Sequence, residues 1–216
     1  YTENIIWPET NGIKLISAGD SSNTIIDGGG TKTTVLFNTS ETSAAILNGF
    51  TIQNGKVTSS SSDDSRIGSY WSGGGITIHG SSPTIRNCII KSNIGGNSGA
   101  TGSSGSAGIE IAKAGQWSNT LSPLIENCII SNNTGDGIHI GDSGYKCDNE
   151  KPCATVTIKN SLIVNNSGIG INCKPRIVDG EMKGGVSETG LEGLEKHVHI
   201  HLTSWFENHK RVPDAD

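Results

Sequence analysis

A chain of 216 residues with a formal charge of -5, spread over 16 basic and 21 acidic side chains, has room for one domain or one modest repeat array. It carries no basic excess that would hold nucleic acid or an anionic membrane. Ile (28) outnumbers both Leu (9) and Ala (9), and Gly (30), Ser (27) and Asn (19) are abundant, which favours short strands and turns and excludes a helix bundle or coiled coil.

No apolar run approaches the roughly 20 residues of a membrane span, and no charged-then-apolar signal segment opens the chain, so a soluble, monomeric domain without membrane insertion is expected. In chain order, two short patterns then alternate. Val35-Leu-Phe37 is a degenerate first member of the pattern Gly75-Ile-Thr-Ile78, Gly108-Ile-Glu-Ile111, Gly137-Ile-His-Ile140 and Gly170-Ile-Asn-Cys173. Between these lie Leu47-Asn-Gly-Phe-Thr-Ile52, Ile85-Arg-Asn-Cys-Ile-Ile90, Ile125-Glu-Asn-Cys-Ile-Ile130 and Ile158-Lys-Asn-Ser-Leu-Ile163. Each of the last three is followed, three residues on, by Asn93, Asn133 or Asn166, with Gly55 in the earlier copy. The glycine pattern recurs after 33, 29 and 33 residues, which is a solenoid signature.

Strands this short cannot bury a face alone, so each coil must stack on the next at about 4.8 Å, giving an all-β parallel β-helix of about five coils. Residues 1–173 form the repeat domain on this reading. Inward rows are expected at Leu47/Ile85/Ile125/Ile158, Phe50/Cys88/Cys128/Ser161 and Ile52/Ile90/Ile130/Ile163. Asn87, Asn127 and Asn160 fall at a bend, where their amides can bond along the stack. The outward Arg86, Glu126 and Lys159 alternate in sign on neighbouring coils, a register match that played no part in finding the repeat.

Two stacks of insertions leave the coil: residues 56–73 and 94–106 after the Asn-ending strands, and 112–123 and 141–154 after the glycine strands. They flank the Gly-Ile-x-Ile sheet and would wall a groove floored by its outward row, Leu36, Thr77, Glu110, His139 and Asn172. Lys113, Asp136 and Asp142 lie beside that row, and Trp71, Trp117 and Tyr145 lie in the walls. Such a groove suits a polysaccharide, held by ring stacking and hydrogen bonds. The opposite reading makes these residues the solvated polar face of a rigid spacer or adhesin segment. A third reads the outward row Thr51/Ile89/Ile129/Leu162 as a protein-binding surface.

The run Ser82-Pro-Thr-Ile-Arg-Asn-Cys-Ile-Ile-Lys-Ser-Asn93, its copy Ser122-Pro-Leu-Ile-Glu-Asn-Cys-Ile-Ile-Ser-Asn-Asn133 and the Gly-Ile-x-Ile strands resemble the right-handed parallel β-helix proteins of the pectin-lyase-like superfamily. The resemblance covers about residues 2 to 173 and implies right-handed coiling and a secreted or cell-surface setting. Tyr1-Thr-Glu-Asn-Ile-Ile6, Ile13-Lys-Leu-Ile16 and Thr24-Ile-Ile-Asp-Gly28 look like the second coil of such proteins, without the capping helix that members usually carry upstream. It further implies lyase-type cleavage of an acidic polysaccharide by a basic residue beside calcium. On that scheme Lys113 and His139 are the catalytic candidates. Thr77, Glu110, Asn172, Trp71, Trp117 and Tyr145 contact substrate, and Glu110, Asp136 and Asp142 supply oxygens to Ca2+. The paired Asp, Gly-His-Gly and Arg-Ile-Lys pattern of polygalacturonases is absent, and Asp63-Asp64 sits in a Ser-rich stretch.

Cys88 and Cys128 at equivalent inward sites read as buried thiols, as does Cys173, whereas Cys147 and Cys153 bracket a short loop that a disulfide would anchor. Residues 174–216 carry 14 charges in 43 positions against 23 in the preceding 173, and neither coil pattern recurs there. This non-repeat C-terminal segment is expected to cap the open strand edges, with Val198, Ile200 and Leu202 spaced as in a strand and Leu191, Leu194, Val198, Leu202 and Trp205 as in a helix. His197, His199 and His201 would share one face of such a strand and read as surface.

Overall fold

The alternation of β-branched residues with polar ones sets three strands per coil in a computed structural model that describes residues 1–57, 73–95, 106–112, 121–141, 156–173, 176–178, 181–183 and 198–201. The first coil holds β1 (Ile5–Ile6), β2 (Lys14–Ile16) and β3 (Ile25–Asp27), and the second β4 (Val35–Phe37), β5 (Ile46–Asn48) and β6 (Thr51–Gln53). The third holds β7 (Ile76–His79), β8 (Thr84–Arg86) and β9 (Ile89–Lys91). The fourth and fifth are β10 (Ser106–Ala112), β11 (Leu124–Glu126), β12 (Ile129–Ser131), then β13 (Asp136–Gly141), β14 (Val156–Lys159), β15 (Leu162–Val164). Next comes β16 (Ile171–Cys173), followed by a hairpin of β17 (Arg176–Val178) and β18 (Glu181–Lys183), and finally β19 (Val198–His201).

Every third strand pairs in parallel, which makes three sheets: β1-β4-β7-β10-β13-β16, β2-β5-β8-β11-β14-β19 and β3-β6-β9-β12-β15. The chain is therefore an all-β parallel β-helix, and no helix occurs among the described residues. β19 lies parallel to β14, with Val156 opposite Val198 and Ile158 opposite Ile200, so residues beyond 173 contribute to the second sheet.

Register confirms the expected rows. Leu47 pairs with Ile85, Ile85 with Ile125 and Ile125 with Ile158, and all four are buried. Ile52, Ile90, Ile130 and Ile163 form the matching row of the third sheet. Each buried Ile contributes roughly 1.5–3 kcal/mol, and a one-residue slip would turn the whole row to solvent, so the repeats lock one another in register. Trp7, beside β1, is buried in the core with its ring 4.4 Å from that of Phe37. On the outside of the second sheet Lys159 Nζ stands 2.9 Å from Glu126 Oε1, as the alternation of charge predicts.

Two corners repeat along the stack. At the first, Asn87, Asn127 and Asn160 adopt φ of 53°, 53° and 50°, the left-handed region that Asn tolerates. Asn127 Nδ2 donates to Asn87 Oδ1 (3.4 Å) and Asn87 Nδ2 to Asn48 Oδ1 (2.7 Å), an exposed ladder of the expected kind. At the second corner, after the third sheet, a buried ladder runs through Asn93, Asn133 and Asn166. Asn93 Nδ2 donates to Asn133 Oδ1 (3.0 Å) and Asn133 Nδ2 to Asn166 Oδ1 (2.9 Å). The same oxygens accept the backbone N–H of Asn93 and of Asn133, so each amide bonds both along and across the coil.

Cys88 and Cys128 are free, buried thiols on successive coils. The hydrogen bond to Cys88, together with burial, pushes the Cys128 thiol well up. The expected Cys147–Cys153 bridge lies outside the described residues, as does the side chain of Cys173.

Candidate functional site

Alternation in the first sheet places one row of side chains opposite the Ile rows. Register aligns Leu36 with Thr77, Thr77 with Glu110, Glu110 with His139 and His139 with Asn172, so five successive coils contribute to one line. The line does not floor an open groove, however. Thr77 is 0%, Glu110 3% and His139 5% exposed, Leu36 is buried as well, and only Asn172 is half-buried.

At the Thr77 end the reason is local. Gly73, which precedes the strand, folds back over the outer face: its N–H donates to Thr77 Oγ1 (2.8 Å) and its carbonyl accepts the Thr33 hydroxyl (2.5 Å). The Thr33 and Thr77 hydroxyls are themselves 3.1 Å apart. A Cβ on Gly73 would fall 2.9 Å from the Glu110 backbone nitrogen, so a side chain there could not fit. Alternation tells which side of a sheet a residue occupies, and it is silent on what lies over that side.

Within the line, Glu110 Oε2 and His139 Nδ1 are 2.8 Å apart, one proton's width between a buried carboxylate and a buried imidazole. Asp136, also buried, opens β13 and spends both oxygens on the next coil. Oδ1 accepts the Ile169 N–H (2.8 Å) and Oδ2 the Asn172 amide (2.7 Å). Asp136 thus holds Asn172 beside His139. Lys113, Asp142, Trp71, Trp117 and Tyr145 lie outside the described residues. Among the described residues no three His, Cys, Asp or Glu side chains converge as a metal site would require.

Residues 2–176 match the family model of the right-handed β-helix region. The chain belongs to this β-helix family. No curated protein and no solved structure matches it. The match spans all five coils and the start of the sixth, and the right-handed coiling that the resemblance implies is that of the family.

In this β-helix the outer row of the first sheet is polar from Thr77 to Asn172, held by the Gly73 backbone at Thr77 and by the Asp136 carboxylate at Asn172, with exposure rising from Thr77 toward Asn172. A carboxylate on Nδ1 fixes the orientation of the His139 ring, and a rigid sheet floor holds the pair more firmly than a loop would. Burying such a pair is costly relative to apolar residues of the same size, which makes it a candidate for a role beyond stability.

Two polar features were not legible in the pattern. Thr33 joins the line from a turn, and its only signal is a Thr-rich run before β4. Glu41 is a third buried carboxylate, after Glu110 and Asp136, accepting bonds from the Thr39 N–H (3.1 Å), the Thr39 hydroxyl (2.5 Å) and the Ser81 hydroxyl, which ties the second coil to the third.

Proposed function

We propose that this domain recognises a polysaccharide along the outer row of the first sheet, in an extracellular or cell-surface setting. The Glu110–His139 pair carries the reading: two ionisable groups held 2.8 Å apart on adjacent coils, with the Asn172 amide next in line. Gly73 closes the Thr77 end, and approach is from the Asn172 end. On an acidic polysaccharide the same pair supports lyase-type cleavage. His139 takes the proton from the carbon next to the uronate carboxyl, the electron pair forms the C=C bond, and the glycosidic oxygen leaves with its bonding pair.

The burial of the row favours a second reading, a non-catalytic structural or adhesin segment in which the line merely ties the coils together. A glycan array separates the two. It is run with and without calcium, because Asp142 lies outside the described residues, and is followed by absorbance detection of unsaturated uronate products. Polysaccharide recognition requires Glu110→Gln and His139→Gln to weaken binding at least tenfold while Arg86→Ala on the second sheet leaves it unchanged. Binding that ignores the pair but depends on Arg86 or Lys159 would place the site on the wrong face. No glycan binding, together with a large loss of stability in Glu110→Gln, would favour the structural role.

A further inference from the structure

The sequence holds three Asn-Gly pairs, Asn11-Gly12, Asn48-Gly49 and Asn54-Gly55, and the fold treats them differently. In such a pair the glycine nitrogen can close on the asparagine side-chain carbon, because no Cβ obstructs the approach. The reaction needs a glycine N–H that water or hydroxide can deprotonate, room for a five-membered ring, and donors for the negative charge that develops on Oδ1.

Two of the pairs are locked. Gly49 is buried and its N–H donates to Arg86 O (3.2 Å), while Asn48 Oδ1 accepts the Asn87 amide (2.7 Å). Gly55 is buried as well, its N–H donates to Asn93 Oδ1 (2.9 Å), and the Asn54 amide is held on Asp27 (2.6 Å). A Cβ on Gly55 would strike the Gly74 carbonyl, so that corner has no room to rearrange.

Asn11-Gly12 is built the other way. The pair lies in the exposed turn between β1 and β2, Gly12 sits at φ 82°, and a Cβ there would meet nothing within 4 Å. The Gly12 N–H donates to the Asn11 side chain itself, at 2.9 Å from Oδ1, which keeps the two groups that must react side by side. The same oxygen accepts the Thr42 hydroxyl (2.8 Å) and the Thr42 N–H (3.4 Å), both from the neighbouring coil. Those donors stand where the oxygen turns negative as the nitrogen attacks, which is the arrangement of an oxyanion hole.

We propose that Asn11 is a site of self-catalysed deamidation, promoted by Thr42. The Gly12 nitrogen bonds to Asn11 Cγ, and its proton passes through water to the departing nitrogen. The Cγ–Nδ2 bond breaks, and Nδ2 leaves as ammonia. One water molecule then opens the succinimide at either ring carbonyl, giving aspartate or isoaspartate. Each product puts a carboxylate where a neutral amide stood. Isoaspartate also lengthens the turn by one backbone carbon and displaces the acceptor that ties Thr42 of the second coil to the first.

The test is storage of the folded protein for several weeks at neutral pH. The acid content of the three Asn-Gly peptides is then read by mass spectrometry after digestion, with isoaspartate separated from aspartate by chromatography. Acid should accumulate at Asn11 about tenfold faster than at Asn48 or Asn54, and the three rates should converge when the protein is held unfolded in urea. Thr42→Val, at an exposed position, keeps the N–H and removes the hydroxyl. A bond to a charged oxygen is roughly twice as strong as one to a neutral amide, so this loss should slow Asn11 about fivefold. Thr42→Ser should restore the rate. Equal rates at the three sites in the folded protein, faster loss at Asn48 or Asn54, or a Thr42→Val variant that deamidates as fast as the unaltered protein would each overturn the assignment.

Discussion

Asn133 is the position at which the stack is most exposed to a single change. Its Oδ1 accepts both the Asn93 backbone N–H (3.0 Å) and the Asn93 amide (3.0 Å), while its Nδ2 donates to Ile90 O (3.1 Å) and Asn166 Oδ1 (2.9 Å). Asn133→Ala removes all four bonds in a site that is 2% exposed. Two donors on Asn93 lose their acceptor, at about 1–3 kcal/mol each, so the substitution should cost about 3–5 kcal/mol. Against a total of roughly 5–15 kcal/mol that is a large fraction. The matched control is Asn127→Gly on the exposed ladder, where glycine keeps the positive φ and water replaces a 3.4 Å bond, at a cost of about 1 kcal/mol or less. Urea unfolding followed by circular dichroism gives both midpoints and slopes, and unchanged slopes would show that only stability has moved. Equal midpoint shifts for the two variants would refute the assignment of the buried ladder as a main tie between coils.

Ile125→Asp should abolish folding, read by loss of the β-type circular dichroism spectrum, because it puts a charge into a fully buried row, whereas Glu126→Gln should cost under about 1 kcal/mol since its pair with Lys159 is partly exposed. Cys88 and Cys128 should resist alkylation in the native protein and react fully once it is unfolded. A Cys88–Cys128 disulfide found by peptide mapping would contradict the stacking. Asp27 has a folded pKa below its unfolded value of about 3.9, so its contribution to stability is complete above that pH and is lost as pH falls through the folded value. Asp27→Asn should therefore flatten part of the acid limb of a stability-versus-pH curve and leave its alkaline limb unchanged.

The coil architecture was readable because Ile alternation and the Asn-Cys-Ile-Ile copies repeat the same physical demand on every turn. One strand position of each coil must be apolar, and the register of Leu47, Ile85, Ile125 and Ile158 follows from that alone. The candidate site was half readable. Alternation aligned Glu110 with His139, but the cover over the neighbouring Thr77 and over the Glu110 backbone comes from Gly73, which lies off the strands and obeys no period. Asn93, Asn133 and Asn166 were visible as the ends of the strands, yet the sequence does not tell an exposed amide from a buried one. The bend residues Asn87, Asn127 and Asn160 carry the same side chain in the opposite environment. Asn38-Thr-Ser40, Asn132-Asn-Thr134 and Asn165-Asn-Ser167 match the N-glycosylation acceptor pattern, and the last two have a structural cause of the same kind. Each begins with a positive-φ corner residue and continues with a ladder amide, Asn133 or Asn166, so the triplet follows from the fold.

The two sequence patterns are in fact parts of one device. Asn93 and Asn166, each following a third-sheet strand, point into the stack beside the glycine that opened the first-sheet strand of the same coil. A Cβ on Gly75 would stand 2.8 Å from Asn93 Nδ2 and 2.8 Å from the Ile90 side chain, and one on Gly137 would stand 2.9 Å from Asn166 Nδ2 and 2.8 Å from that of Ile163. Any side chain at these positions would push the ladder amide off its carbonyl, and the amide would then be buried without its bonds, which costs more than the ladder gains. Gly75 and Gly137 are therefore required beside Asn93 and Asn166, and the carbonyls of Gly108 and Gly170, each 2.6 Å from the same Cβ positions, close the space further. This explains why the Gly-Ile-x-Ile strands keep step with the Asn residues even though the coils between them differ in length. It also explains why the second coil, which has Gly55 in place of the ladder Asn, can begin its first-sheet strand with Thr34-Val35 and no glycine. There the amide is absent, the Gly55 N–H donates to Asn93 Oδ1 (2.9 Å), and the Thr34 hydroxyl reaches Gln53 O at 3.4 Å across the same corner.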